Sequence, residues 1–225
     1  MPEVTQWLVS RGISETILMI VAYIPLIVTI TSISRYMLGI KTSGIYSSMI
    51  LSLAYYFMGL RQGLIITFIV LVSAWLLRYF FRKVQMHYLS RLAIVYGGVS
   101  IFILFFIIGT SFIRSEDPFF DFTALPALPL AMIISITDRF ISNYIKKDLI
   151  GALRLTVETI LIALFGWILI RSYDIQTFLI NNLWIVPLTI VINLFIGRYS
   201  GFRLTEIARF GQILKAPQTT PENEK

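Results

Sequence analysis

Met49-Ile50-Leu51-Ser52-Leu53-Ala54 is matched without gaps by Met132-Ile133-Ile134-Ser135-Ile136-Thr137, with Ser48 standing over Ala131. The match lies inside a longer echo. Residues 43–77 run apolar, break at Arg61-Gln62-Gly63 and run apolar again; residues 126–167 repeat that order, with their break at 144–148. Six matched positions alone carry little in a chain so rich in Ile and Leu. The shared long-range order is what reads as a duplicated unit.

The surrounding chain says where such a unit lives. Of 225 residues, 57% are hydrophobic and 14% charged, and the mean hydropathy is +0.81. Soluble domains carry about 45–50% apolar and about 25% charged residues. The excess falls into runs of about 20 residues, the length that crosses a bilayer core of about 30 Å. Seven such spans are expected, at 14–35, 43–60, 63–83, 91–113, 123–143, 149–171 and 178–197. Each should be helical, because lipid offers the backbone no hydrogen bonds. The first run is too long, and its flank too poor in cations, for a cleaved leader. With no cysteine there is no disulfide or thiolate site, and a single His87 excludes a zinc site built from several histidines.

The net charge of +7 reads as a topology signal rather than as affinity for nucleic acid. If the N-terminus is outside, only Arg11, Arg61, Arg114 and Arg171 of the 19 basic residues face outward, together with the acidic Glu116, Asp117 and Asp121. The others collect inside, at every loop. The expected fold is therefore all-α and polytopic, N-out and C-in, in a plasma membrane. Three-span units in such a chain must point opposite ways, so spans 1–3 and 4–6 form an inverted repeat, followed by a seventh helix. Inverted repeats often build a site near the midplane from broken helices. Gly44, Pro126 and Pro129 are the candidate breaks; as an alternative, they are ordinary helix starts, where proline is tolerated.

The domain reading is 1–200 for the membrane bundle, 201–216 for a basic amphipathic helix on the inner leaflet or a partner, and 217–225 for a disordered tail. Intramembrane charges are the functional candidates. Glu158 lies well inside the sixth span with Arg154 one turn earlier, either as an ion or substrate contact or as an ion pair that fixes packing. Asp138 and Arg139 close the fifth span, either at a site or snorkelling to the interface. Gly97-Gly98 reads as a close helix contact. Trp7, Tyr36, Tyr88, Tyr173 and Tyr199 read as an interfacial belt. No phosphate loop, nucleophile elbow or metal-ligand spacing occurs, so no catalysis, cofactor or metal is expected of this chain.

The closing motif Gly197-Arg198-Tyr199-Ser200-Gly201-Phe202-Arg203-Leu204-Thr205-Glu206 resembles the end of the bacterial seven-helix membrane domain usually fused to an inactive transglutaminase-like domain. Lys41-Thr42-Ser43-Gly44, Ser90-Arg91-Leu92-Ala93 and residues 129–139 resemble other parts of that domain. The motif residues Gly197, Arg198, Tyr199, Gly201, Arg203 and Glu206 carry the likeness. The duplicated unit is also similar to the PgsC/CapC family, the small membrane components of poly-γ-glutamate (capsule) biosynthesis, with Ser43-Gly44-Ile45 in the first copy and Pro129 in the second. Ser47 stands where that family tends to have proline. The resemblance implies a non-catalytic membrane component of a peptide-polymer synthesis and export complex. It would sit beside a cytoplasmic ATP-dependent amide ligase and an extracellular partner chain, with a homo-oligomer left open. A small stand-alone transporter and a membrane sensor or scaffold are the competing readings.

Overall fold

A computed structural model describes residues 2–40, 42–85, 87–112, 122 and 125–198; its regular structure is entirely helical over these residues. A short α1 (Pro2–Ser10) precedes four long apolar helices: α2 (Glu15–Tyr36), α4 (Leu60–Phe80), α5 (Tyr88–Phe112) and α8 (Leu149–Arg171). Each of the four is long and apolar enough to cross a membrane.

The remaining spans depart from the expected continuous helices. In the second, only α3 (Ile45–Met58) is helical, 14 residues or about 21 Å long. That is short of the bilayer core, and the described residues before it, 37–40 and 42–44, are not helical. The fifth is divided at Ser135 into α6 (Ala127–Ile134) and α7 (Ile136–Lys146). The seventh is α9 (Tyr173–Asn181) and α10 (Ile185–Arg198), bent by 96°. The break expected at Arg61-Gln62-Gly63 falls instead at Gly59, whose φ of 91° suits glycine; those three residues open α4.

α3 is the hub. It packs against α2, α4, α6, α7 and α8 and buries Ser47, Ser48, Leu51, Ser52, Ala54 and Tyr55. Apolar side chains gain nothing by leaving lipid for one another, so the bundle relies on close packing and interhelical hydrogen bonds. Gly166 of α8 supplies the close packing: a Cβ there would meet Ile27, Tyr23 and Ser52. The hydrogen bonds run Tyr23 Oη to Ser52 Oγ (3.1 Å), Thr31 with Ser48 (3.1 Å), Tyr55 with Thr67 (3.1 Å) and Asn193 Nδ2 to Thr29 Oγ1 (2.6 Å). Each such bond contributes about 0.6 kcal/mol on average.

These contacts also give directions. Tyr23 meets Ser52 while Thr31 meets Ser48, so α2 and α3 run antiparallel. Ser43 bonds Thr159 while Ser52 faces Gly166, so α3 and α8 run parallel. Asn143 Nδ2, near the end of α7, bonds Ser43 Oγ at 2.6 Å, and the body of α3 lies along α6. α3 and the α6–α7 rod therefore run antiparallel, and these are the two elements that carry the matched hexapeptides. Gly98 does take a close contact, from Leu77, whereas a Cβ on Gly97 would meet nothing.

Candidate functional site

The segment before α3 reaches in between α7 and α8. The Ser43 amide donates to Thr159 Oγ1 at 2.9 Å, and Thr159 lies about 15 Å along α8 from its first residue. The start of α3 is thus held inside the bundle by α8 on one side and by Asn143 of α7 on the other. Gly44 is its N-cap and offers no side chain to the first-turn amides. Those amides have no intrahelical acceptors and carry the positive end of the helix dipole. On the second copy, Pro126 is the N-cap of α6 and Pro129 sits in its first turn. Gly44, Pro126 and Pro129 accordingly mark helix starts; the interruption within a span is at Ser135, which sequence reading did not single out.

A cavity of 220 Å³ opens beside the first turn of α3. Its polar lining comes from Tyr46 and Ser47 of α3, Tyr96 of α5, Ser135 at the α6–α7 junction, and Asp138 and Arg139 of α7. Ser47 is buried and makes no hydrogen bond among the described residues. Arg139 makes no ion pair among the described residues, whereas Asp138 has an interaction of its own. Two hydroxyls close by in sequence, Thr42 and Thr137, are buried without a partner among the described residues. The structure thus brings Asp138, Arg139 and the Gly44 helix start together.

It leaves Glu158 and Arg154 elsewhere. On α8 they bond each other, Nε to Oε1 at 3.0 Å, with the Arg154 side chain 81% exposed and that of Glu158 19%. The pair lies along one helix with its arginine largely exposed, so it is not the buried pair expected to fix helix packing. Tyr46 and Tyr96 were not foreseen as site residues; only the fold brings them to the cavity. A larger groove of 590 Å³ between α4 and α8 is lined almost wholly by apolar side chains such as Phe68, Trp75 and Val157 and lies on the outer face of the bundle. The described residues gather no group of His, Asp or Glu that could hold a metal.

Trp7, Tyr36 and Tyr173 are exposed, Arg11 stacks on Trp7 (5.3 Å) and Arg171 on Trp167 (5.1 Å). Tyr199, Gly201, Arg203 and Glu206, the helix at 201–216 and the tail at 217–225 lie outside the described residues, while Gly197 and Arg198 end α10.

Long apolar helices joined by interhelical hydrogen bonds, with a polar cavity between interrupted ones, define a multi-pass α-helical membrane protein. The chain belongs to the family described as seven transmembrane helices usually fused to an inactive transglutaminase, whose pattern it matches over residues 10–214. No match was found among curated proteins or solved structures. The protein is a membrane module of that family.

Proposed function

We propose that the chain is a non-catalytic integral component of the plasma membrane that helps assemble and export an anionic, peptide-like polymer of the poly-γ-glutamate kind. The observation that carries this reading is the polar cavity held between α3 and α6–α7, at the bundle end where the basic residues gather. Lys83, Arg91, Lys146 and Lys147 lie at that end, and we assign it to the cytoplasm by the positive-inside rule, with the N-terminus outside. Support for spans 1–3 and 4–6 as an inverted repeat comes from the antiparallel packing of the two elements with matched hexapeptides. Each is a short or divided helix in a bundle of long ones. The basic end would dock a cytoplasmic ATP-dependent amide ligase, and an extracellular chain would receive the product.

Purification in mild detergent from the native membrane tests this directly. Recovery of a ligase with the chain, lost when Lys146 and Lys147 are both replaced by Glu, is the expected result. Purification of the chain alone would count against a polymer-synthesis complex. The antiparallel interrupted helices also favour a second reading, a self-sufficient small transporter. That reading requires flux through the chain alone in liposomes. Glu158 suits it poorly as a coupling group, since it is bonded to Arg154.

A further inference from the structure

We propose that the cavity beside α3 binds one amino-acid-type zwitterion: its carboxylate on the first turn of α3, Ser47 and Arg139, and its ammonium on Asp138. This rests on the reading above of the cavity as the working site, and it adds the ligand.

Four independent features converge. The first turn of α3 presents amides that neither its own helix nor the Gly44 cap satisfies, a ready seat for an anionic group. The Ser47 hydroxyl lies over that turn, 3.5 Å from where a Cβ on Gly44 would be, and lines the cavity while only 8% of the residue is exposed. The rest of the residue is buried, and the hydroxyl is open to the cavity and unbonded among the described residues, free to bond a ligand. Arg139, an exposed residue, lines the same cavity and makes no ion pair among the described residues, and a guanidinium is the side chain best shaped for a carboxylate. Asp138 adds the opposite charge on the preceding residue of α7. A carboxylate accepts up to about four hydrogen bonds, so the interaction Asp138 already makes leaves room for an ammonium.

Size and charge then select among ligands. At 220 Å³ the cavity is below the roughly 300–1,000 Å³ of sites for drug-sized molecules and suits a single small unit. One acid and one guanidinium on the lining suit a zwitterion better than a dianion, which Asp138 would repel. Tyr46 supplies a further hydroxyl for whatever lies beyond the α-carbon, while that of Tyr96 meets the Asp138 backbone. In a polymer-forming complex, such a site would hold a monomer or the end of a chain on the cytoplasmic side.

The test uses the purified full chain in lipid nanodiscs with radiolabelled glycine and radiolabelled glutamate as probes, so that no ligase or polymer is needed. A failed co-purification therefore cannot be mistaken for a failed binding site. Saturable binding is expected, displaced by unlabelled glycine or glutamate but not by acetate or methylamine at the same concentration. Arg139→Gln should weaken it at least tenfold and Ser47→Ala about threefold, with Arg139→Lys between wild type and Arg139→Gln. Arg154→Gln should leave it unchanged. Should Arg139→Gln fail to fold, Ser47→Ala and Arg139→Lys still decide. Absence of saturable binding by both probes, displacement by acetate as effective as by glycine, or wild-type affinity in folded Arg139→Gln would each overturn the proposal.

Discussion

The continuous helices and the interrupted ones use polar residues in opposite ways. On α8, Arg154 and Glu158 stand one turn apart and bond each other on the surface of a single helix. The threonines of the long helices likewise turn inward on their own backbone: Thr29, Thr31, Thr67, Thr156 and Thr159 each donate to the carbonyl four residues earlier. On α7 the charged residues Asp138 and Arg139 are consecutive, and with Ser47 they line a cavity formed by α3, α5, α6 and α7. The scaffold threonines bond their own helix, and Thr29, Thr31, Thr67 and Thr159 a neighbouring segment as well, whereas Ser47 and Arg139 beside the cavity make no such bond among the described residues.

The contrast can be broken first at the scaffold. Gly166→Leu would push a side chain into Ile27, Tyr23 and Ser52, where α2, α3 and α8 meet. A loss of about 3 kcal/mol or failure to assemble is expected on denaturant unfolding in micelles. Gly97→Leu, which meets no atom within 4 Å, should change stability by less than about 0.5 kcal/mol. Comparable losses in both would mean that the α3–α8 seam is not where the bundle is held.

At the interruption the effect should be on function instead. If the chain serves polymer export as proposed, Arg139→Gln lowers polymer output in cells about tenfold while the purified chain keeps its unfolding midpoint. A matching fall in midpoint would make Arg139 a structural residue only.

The next effect is smaller. Thr159→Val removes the acceptor of the Ser43 amide and leaves that group buried without a partner. A cost of about 1–3 kcal/mol follows, read by unfolding, together with faster amide exchange at Ser43 and Gly44. Smallest of all is Glu158→Gln. It breaks a pair whose arginine is largely exposed, so a change below about 1 kcal/mol and unaltered output are expected. A complete loss of flux in liposomes would restore Glu158 as a coupling group and favour the transporter reading.

Much of this architecture was legible in the residues. Runs such as those of α2, α4, α5 and α8 announce themselves because twenty apolar residues in a row have few alternatives to a membrane helix. The interruptions were harder to see, for physical reasons. Ser135 lies within an apolar hexapeptide, and its hydroxyl bonds the Met132 carbonyl at 2.6 Å, so nothing in the sequence marks it as a joint. The turn between α3 and α4 was misplaced because Gly59 and Gly63 lie within one turn of each other; only the backbone shows that Gly59 takes the positive φ, whereas Gly63 packs under Tyr55. The 96° bend between α9 and α10 follows Asn181-Asn182. For the site, Asp138 and Arg139 stood out as charges in an apolar setting. Tyr46 and Tyr96 did not, since aromatic residues are common throughout the chain and only tertiary contact distinguishes these two.

Cavity and repeat alike require α3 and the α6–α7 rod to lie against each other in opposite directions, and the absence of cysteine makes that directly measurable. Paired cysteines at Ser43 and Asn143, whose side chains touch, should cross-link in native membranes under mild oxidation, whereas a pair at Ser43 and Leu128, at the far end of the rod, should not. Efficient cross-linking of 43 to 128 with none of 43 to 143 would place the two elements side by side in the same direction and contradict the architecture on which the cavity depends.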